Sequence, residues 1–243
     1  MIQNYGKPYI AHYGVKGMKW GVRNKDTRLS KNTSLYRVSS EKEIEPKHDR
    51  TYLAYTKNDV DFYKEHMTKF RRTSDDQPIF LIKYKNLSSI KHPSSKKQAD
   101  EFYEFYKDHK VKIGSQIADE MVYRLYRNNS KEVRDFFHEK LSKRYSDLDD
   151  DEIRTKGYLT FMRTYSDLPI SSLFQEQLKK KGYNSLLDDN DIINNDLDVF
   201  KPEKPIIVFE PSKLLKIVDN EQLSEDVYKK ALLDNEERRK KVD

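Results

Sequence analysis

The pattern of apolar and polar positions predicts strands at both ends of a domain and helices between them. Segments rich in β-branched and aromatic residues, typical of strands, lie at residues 34–38, 51–55, 78–87, 182–187 and 204–209, with a last short strand within 210–217. From about residue 95 to 143, apolar residues recur at spacings of three to four, which predicts two or three helices with breaks at Gly114 and at 128–130. Further helices are predicted at 157–165 and 169–181. This order favours an α+β architecture over an alternating parallel sheet.

The two ends of the chain differ in composition from the domain between them. Four of the seven glycines lie in the first 21 residues, and closely spaced glycines disfavour both helix and strand. From residue 220 the chain is highly charged, and we predict a helix there. We therefore predict an N-terminal arm at 1–30, a domain at 31–218 with a helical insert at about 95–165, and a charged helical tail at 219–243.

Composition excludes several classes of protein. Apolar residues make up 35% of the chain and charged residues 36%, so the core is expected to be thin for the length. The sequence has no apolar run near the 20 or so residues that a membrane-spanning helix needs, and residues 1–10 lack the features of a secretory signal. The chain has no cysteine, which excludes disulfides, thiolate metal sites and cysteine nucleophiles. Aromatic residues at 12%, including 17 tyrosines, are too many for a chain disordered throughout.

The basic charge is concentrated in the arm. The net charge is +6, and residues 1–23 carry four cations and no acid, so the rest of the chain is nearly neutral. The single tryptophan of the protein, Trp20, also lies in the arm, between lysine and glycine. Two interpretations stay open: a flexible leader whose tryptophan packs on the domain, or a docking or processing peptide for a partner. For docking, the candidate residues are His12, Lys16, Met18 and Trp20.

Several familiar catalytic and metal-binding motifs are missing from the sequence. It contains no glycine-rich phosphate loop followed by Lys-Ser or Lys-Thr, no serine-nucleophile elbow and no His-Glu-x-x-His. The acidic segment at 147–152 lacks the glycine and glutamate spacing of a calcium loop. The six histidines are far apart among polar neighbours, so we expect them at the surface and predict no metal site.

Three pieces of the chain could face one another and bind a nucleotide: Arg37, the strand-turn-helix at 52–63 and the hairpin at 182–217. Arg37 lies on the first predicted strand, where its forked donors would suit a diphosphate, although a strand arginine paired with a carboxylate is equally compatible with the pattern. Tyr52 and Tyr63 could stack on a flat heterocycle or could simply pack in the fold. Between these tyrosines, Thr56 is a predicted helix N-cap, at a turn whose free N–H groups attract phosphate.

Four segments resemble the ADP-ribosyltransferase-like domains encoded by bacteriophages of Gram-positive hosts. They are Leu35-Tyr36-Arg37-Val38-Ser39 and residues 51–63, 182–190 and 205–214. The arm at 12–23 resembles a peptide that recurs in phage head and minor capsid proteins. Arm and domain together cover most of residues 12–217, and 95–165 matches least. The resemblance implies an ADP-ribosyltransferase-like split β-sheet with an inserted helical region, and NAD as the cofactor if the domain is active.

The resemblance also implies roles for individual residues. Arg37 would hold the phosphates or ribose of NAD, and Tyr52, Thr56 and Tyr63 would line the nicotinamide pocket. An acidic residue near the last motif would stabilise the oxocarbenium-like transition state.

The position of that acid departs from the family pattern. Where active relatives have glutamate at the start of the final strand, this chain has Pro205, with Glu203 and Glu210 on either side. Positions 203 and 205 share a strand face and 210 lies on the other, so Glu203 is the better substitute. A missing transition-state partner typically costs a few kcal/mol, which would leave the fold without useful catalysis.

Three functional hypotheses follow. The first is a minor head or capsid protein of a phage virion, docked on head, capsid or portal components by the arm. The second is an enzyme in the host cytoplasm that moves ADP-ribose from NAD onto a host protein or nucleic acid, with Glu203, Glu210 or the pair Asp188 and Asp189 facing the sugar cation. The third is a packaging accessory that binds nucleic acid through the basic arm.

Overall fold

The computed structural model describes residues 27–46, 50–57, 78–189 and 205–223, and it is a mixture of helix and sheet, which confirms the predicted α+β class. The strands in these residues are β1 (Thr27–Leu29), β2 (Ser34–Ser39), β3 (Arg50–Leu53), β4 (Ile79–Asn86), β5 (Ile90–His92), β6 (Ser185–Leu187), β7 (Ile206–Phe209) and β8 (Leu215–Leu223). The helices are α1 (Ser95–Tyr126), α2 (Lys131–Ser146), α3 (Asp150–Glu152), a π-helical turn (Ile153–Gly157), α4 (Tyr158–Thr164), α5 (Ser171–Lys180) and α6 (Pro211–Leu214).

The described strands form three antiparallel sheets, with the orders β1–β5, β2–β4–β8 and β3–β7–β6. Backbone hydrogen bonds connect these sheets at their edges. Tyr36 and Ala54 exchange hydrogen bonds of 2.9 and 2.8 Å between β2 and the residue after β3. The Asn184 amide donates to the carbonyl of Lys91 at 3.1 Å, which ties the start of β6 to β5.

The β3–β7–β6 sheet lies between the helices and the β2–β4–β8 sheet. All four residues of β7 are buried. Ile207 and Phe209 pack in the core formed by the helices, whereas Ile206 and Val208 pack in the core shared with β2 and β4. Burying each such side chain contributes about 1.5–3 kcal/mol. Because alternate side chains of β7 face the two cores, this strand joins the cores across one sheet.

The predicted break at Gly114 is wrong, because α1 runs without interruption through this residue. A Cβ atom at Gly114 would lie 2.5 Å from Ser146 Oγ and 2.8 Å from the carbonyl oxygen of Ser142. The glycine therefore permits close packing of α2 against α1, and this contact, rather than a helix end, accounts for its position. The break predicted at 128–130 is confirmed, and Ser130 caps the start of α2.

The predicted boundaries of the domain also change. Thr27–Leu29, part of the predicted arm, forms β1 and pairs with β5, a strand that the sequence pattern did not predict. Residues 219–223, where we predict the start of a helical tail, are instead the end of β8. Pairing of β8 with β4 extends to Leu223, which is 5% exposed, so burial and ladder hydrogen bonds override the charged composition there.

Most remaining elements lie where the pattern predicts them. Gly182, the predicted end of the last long helix, follows α5 with φ of 84°, a conformation that glycine adopts without strain. No helix within the described ranges is both long and apolar enough to cross a membrane.

Candidate functional site

At one end of the β3–β7–β6 sheet, β3 and β6 end and β7 begins. Leu53 of β3 and Leu187 of β6 both pair with Ile206, the first residue of β7. Just beyond this row, the amide of Asp188 donates to the carbonyl of Pro205 at 2.9 Å. The residues that follow β3 and β6 and precede β7 therefore lie along the same edge.

Arg37 lies on β2 on the side that faces the core between the two three-stranded sheets, since it pairs with the fully buried Ile82. Its Nη1 atom is 3.1 Å from Oε1 of Glu43, whose side chain is only 9% exposed. The hydroxyl of Tyr84 donates to the other carboxylate oxygen at 2.5 Å, and Asn220 Nδ2 donates to the Glu43 carbonyl at 2.7 Å. Tyr84 of β4 thus holds the Glu43 carboxylate, and Asn220 of β8 holds the Glu43 backbone.

The contact between Arg37 and Glu43 is chiefly electrostatic, since Arg37 Nη1 is buried and has no hydrogen bond of good geometry. Burial, together with the hydrogen bond to Glu43, raises the pKa of the Tyr84 phenol, which therefore stays protonated as a donor. Of the two interpretations of Arg37, the structure shows the strand arginine paired with a carboxylate. Neither Glu43 nor Tyr84 has a sequence signal that would have selected it, because the loop at 40–46 brings Glu43 back onto the strand.

The side chain of Tyr52 packs on the side of β3 that faces the helices, whereas its neighbour Leu53 packs in the core shared with β2, the strand of Arg37. The Tyr52 hydroxyl lies 2.6 Å from Oγ of Ser166, in the turn after α4. Burial raises the pKa of Tyr52 to about 12, and the Ser166 hydrogen bond opposes this rise in part. The structure therefore places Tyr52 and Arg37 on opposite sides of the β3–β7–β6 sheet and does not bring them together.

Arg50 reinforces the same attachment of β3 to the helices. Its Nη1 donates to Oγ of Ser171 at 2.6 Å and to the carbonyl of Tyr165 at 3.1 Å. Its guanidinium also lies over the Tyr165 ring, 5.2 Å from the centroid. Arg50 and Tyr52 together hold the turn between α4 and α5, which for Tyr52 is the packing role that the sequence left open.

Thr56 is exposed and lies three residues after the end of β3. Next to it, Lys57 forms an ion pair of 3.1 Å with Glu221 of β8. The predicted helix after Thr56, with Tyr63, lies outside the described residues, as does Glu203.

The pairing of Tyr36 with Ala54 puts Arg37 level with Leu53, which pairs with Ile206 at the start of β7. Glu210 lies at the other end of β7. It follows Phe209 in a left-handed conformation, with φ of 47°. Four residues of extended chain separate it from Ile206, roughly 13 Å. Its carboxylate lies 2.5 Å from Lys213 Nζ and 3.4 Å from Lys179 Nζ, and the hydrogen bond from Lys213 is the main reason why its pKa is lowered. The structure therefore does not bring Glu210 to Arg37.

Asp189 belongs to a buried network between β6 and the start of α1. Its Oδ1 accepts from Ser95 Oγ at 2.6 Å, and its Oδ2 accepts from the hydroxyl of Tyr158. Gln98, fully buried, donates to that hydroxyl at 2.5 Å and to the carbonyl of Leu187 at 2.7 Å, and its Oε1 accepts from the Leu187 amide at 2.9 Å. Burial first, and Asp189 second, raise the pKa of Tyr158 well above its usual value. Asp189 thus serves to attach β6 to the helices.

The expected surface position of the histidines is wrong for His92, which is 3% exposed. Its Nδ1 donates to the carbonyl of Pro93 at 2.9 Å, and its Nε2 lies 3.1 Å from the hydroxyl of Tyr55, which can donate to it. Both ring nitrogens of His92 thus have hydrogen-bond partners. The burial arises because β5 lies inside the sheet arrangement, which its short, mixed sequence does not reveal.

Metal ligands do not cluster in this part of the chain. Within residues 27–46, 50–57, 78–189 and 205–223, no three histidine, aspartate or glutamate side chains are grouped so that they could hold a metal ion.

Comparison with known proteins bears on the arm. A family model described as a family of unknown function, DUF7211, matches residues 7–27. No curated protein and no solved structure matches the chain. The matched segment contains the predicted docking residues His12, Lys16, Met18 and Trp20, which lie outside the described residues.

Proposed function

We propose that this chain is a bacteriophage virion-associated protein of the minor head or capsid type, whose ADP-ribosyltransferase-like domain has lost efficient catalysis. The resemblance of the arm and of four strand-forming segments carries the first part of this proposal. Antiparallel sheets joined at their edges by Tyr36 and Ala54, with helices packed on one side, support a split-sheet fold of that kind.

One observation carries the second part, the ion pair of Arg37 with Glu43. A guanidinium that holds the phosphates of NAD must offer its forked donors to those oxygens. Here a carboxylate that is 9% exposed lies 3.1 Å from Nη1 and is fixed by Tyr84. A diphosphate at this position would meet a buried negative charge at close range, and like charges repel strongly where water is excluded.

The test of lost catalysis is a calorimetric titration with NAD. We expect weak binding or none for the wild type, and no transfer of ADP-ribose from labelled NAD. Arg37→Lys keeps the charge, and Arg134→Ala removes an exposed arginine on α2 as a matched control. Tight binding that is lost in Arg37→Lys and kept in Arg134→Ala would overturn the proposal, provided that circular dichroism shows both variants folded.

The composition of the arm supports its docking role, and a separate family model matches the arm as a segment apart from the domain. Residues 1–23 carry four cations, no acid and the single tryptophan. The matched residues, 7–27, end where β1 of the domain begins. A basic segment that carries a tryptophan suits an acidic surface with an apolar pocket on head components.

Incorporation into virus particles tests this role. In the phage or prophage that encodes the chain, deletion of residues 1–23 should remove the protein from purified particles, measured by mass spectrometry, while the domain accumulates in the lysate. Trp20→Ala should lower incorporation, and Lys7→Ala, outside the proposed docking residues, serves as the control. Unchanged incorporation of the deleted protein would contradict the docking role.

The alternative, an active NAD-dependent ADP-ribosyltransferase, is favoured by one observation. The strands place Arg37 level with Leu53, which pairs with Ile206 at the start of β7. In the family that the sequence resembles, the catalytic acid lies at the start of this strand, and Glu203 precedes Pro205 by two residues. Transfer from labelled NAD that disappears in Glu203→Gln and persists in Glu210→Gln would establish this alternative.

A further inference from the structure

A cavity of about 660 Å³ lies between the end of α2, the π-helical turn and α4. Its volume is within the range of about 300–1,000 Å³ that is usual for small-molecule sites. Tyr145, which is 9% exposed, and Leu148 provide buried and apolar lining, and Leu159 contributes an exposed apolar side chain. This cavity is on the helical side of the fold, away from Arg37.

The π-helical turn shapes one wall of the cavity. A wide turn of this kind inserts an extra residue into a helix and occurs frequently at functional sites. Gly157 ends the turn, and a Cβ atom there would lie 2.9 Å from Cδ1 of Leu148. The glycine thus allows Leu148 to pack closely under the turn while Lys156 and Thr160 line the cavity.

The charges that line the cavity are not balanced. Lys156 pairs with Glu152 at 3.1 Å. Arg144 of α2 and Arg163 of α4 are exposed, and neither forms an ion pair or hydrogen bond with any residue in the described part of the chain. The remaining acid of the lining, Asp147, forms no ion pair with either guanidinium group. Two arginines on separate helices thus line the cavity without an ion pair in the described part of the chain.

We propose that this cavity binds the phosphate group of a small molecule of nucleotide size, held between Arg144 and Arg163. A carboxylate can satisfy one guanidinium fork, whereas a phosphate offers enough oxygens and charge for two arginines from separate helices. The apolar and aromatic lining from Tyr145, Leu148 and Leu159 suits the organic part of such a ligand. The inference does not depend on the proposed virion role.

Calorimetric titration of the full chain with ATP, AMP and inorganic phosphate at one ionic strength tests the site. We expect ATP to bind, and Arg144→Ala and Arg163→Ala each to weaken it about tenfold or more, as the loss of a charge-assisted contact does. Arg134→Ala on the same helix as Arg144 removes the same charge outside the cavity and should leave the affinity unchanged. Both cavity arginines are exposed, so the variants should stay folded, which circular dichroism checks.

Three outcomes would overturn the proposal. The first is no binding of any of the three probes at millimolar concentration. The second is an equal loss in Arg134→Ala, because the attraction would then be a general effect of charge. The third is binding of a single-stranded DNA oligonucleotide that depends on Arg144 and Arg163 without binding of ATP, which would assign the site to a nucleic-acid backbone. NAD that binds through Arg163 and is unaffected by Arg37→Lys would support this cavity and leave the proposal for Arg37 standing.

Discussion

Arg37 and Glu43 are six residues apart in the sequence, and their side chains meet with Nη1 and Oε1 3.1 Å apart; the Arg37 side chain is 27% exposed and the Glu43 side chain 9%. The pair occupies the position where the resemblance implies a binding site for NAD phosphates. Its energetic role in the domain can therefore be measured separately from any catalytic role.

Arg37→Met should lower the free energy of unfolding by about 3 kcal/mol, because it leaves the Glu43 carboxylate buried without its counter-charge. This figure is at the lower end of the range for buried pairs, since the Arg37 side chain is partly exposed. The midpoint of urea denaturation measures the change. The double variant Arg37→Met with Glu43→Gln should recover part of the loss, because the uncompensated charge is then gone.

An exposed ion pair provides the control for that measurement. Lys57 and Glu221 are 3.1 Å apart and about half exposed. Lys57→Ala should change the free energy of unfolding by less than about 1 kcal/mol. An effect of Arg37→Met as small as that of Lys57→Ala would show that the Arg37 pair contributes little to stability.

Gly114→Ala should destabilise the protein by about 1–2 kcal/mol, although alanine is the better helix former by about 1 kcal/mol. The new Cβ would approach Ser146 Oγ and the Ser142 carbonyl to 2.5 and 2.8 Å, and the backbone oxygen cannot move without moving α2. Thermal unfolding followed by circular dichroism measures the change. Stabilisation by Gly114→Ala would contradict the close packing of α1 and α2.

The stability of the protein should fall as the pH rises from about 10 to about 12, partly because of Tyr52. Burial raises the pKa of Tyr52 from 10.0 to about 12 in the folded state, so over this interval the folded chain holds a proton that the unfolded chain releases. The contribution is complete below pH 10 and is lost as the pH rises through 12. In Tyr52→Phe the decline of unfolding free energy with pH should be shallower, and equal slopes would argue against a raised pKa.

Gln98→Leu should destabilise the protein by about 2 kcal/mol or more, because it leaves the amide and carbonyl of Leu187 buried without partners. Hydrogen exchange at the Leu187 amide should become faster than in the wild type. Glu104→Ala, which removes an exposed partner of Lys107, is the control and should change neither quantity appreciably. Unchanged exchange at Leu187 in Gln98→Leu would show that this hydrogen bond does not protect the strand.

The sequence predicts the local elements of this fold better than the contacts between them. The β-rich segment at 204–209 becomes β7, and its four apolar residues are buried because each face of the strand packs on a different core. By contrast, the pattern does not predict β5 or the end of β8, since three residues at 90–92 are too short for a pattern and the charged residues within 219–222 resemble those of the tail.

For the candidate site, the sequence identified Arg37, Tyr52 and Glu210 as residues of interest, whereas the structure separates them. Side chains alternate between the two faces of β3, so Tyr52 lies on the face towards the helices. Glu210 lies beyond the last residue of β7, at the end of the strand away from Arg37. The pairing of Arg37 with Glu43 depends on the path of one loop, which leaves no periodic signal.

By itself, the amino-acid sequence determined the α+β class, the basic arm with its single tryptophan, and most of the strands and helices, because these follow from local spacing and composition. Only the tertiary structure decided which charges meet. Ion pairs such as Arg37 with Glu43, and uncompensated cations such as Arg144 and Arg163 at a cavity, depend on the positions of whole elements packed by apolar burial, which no short segment encodes.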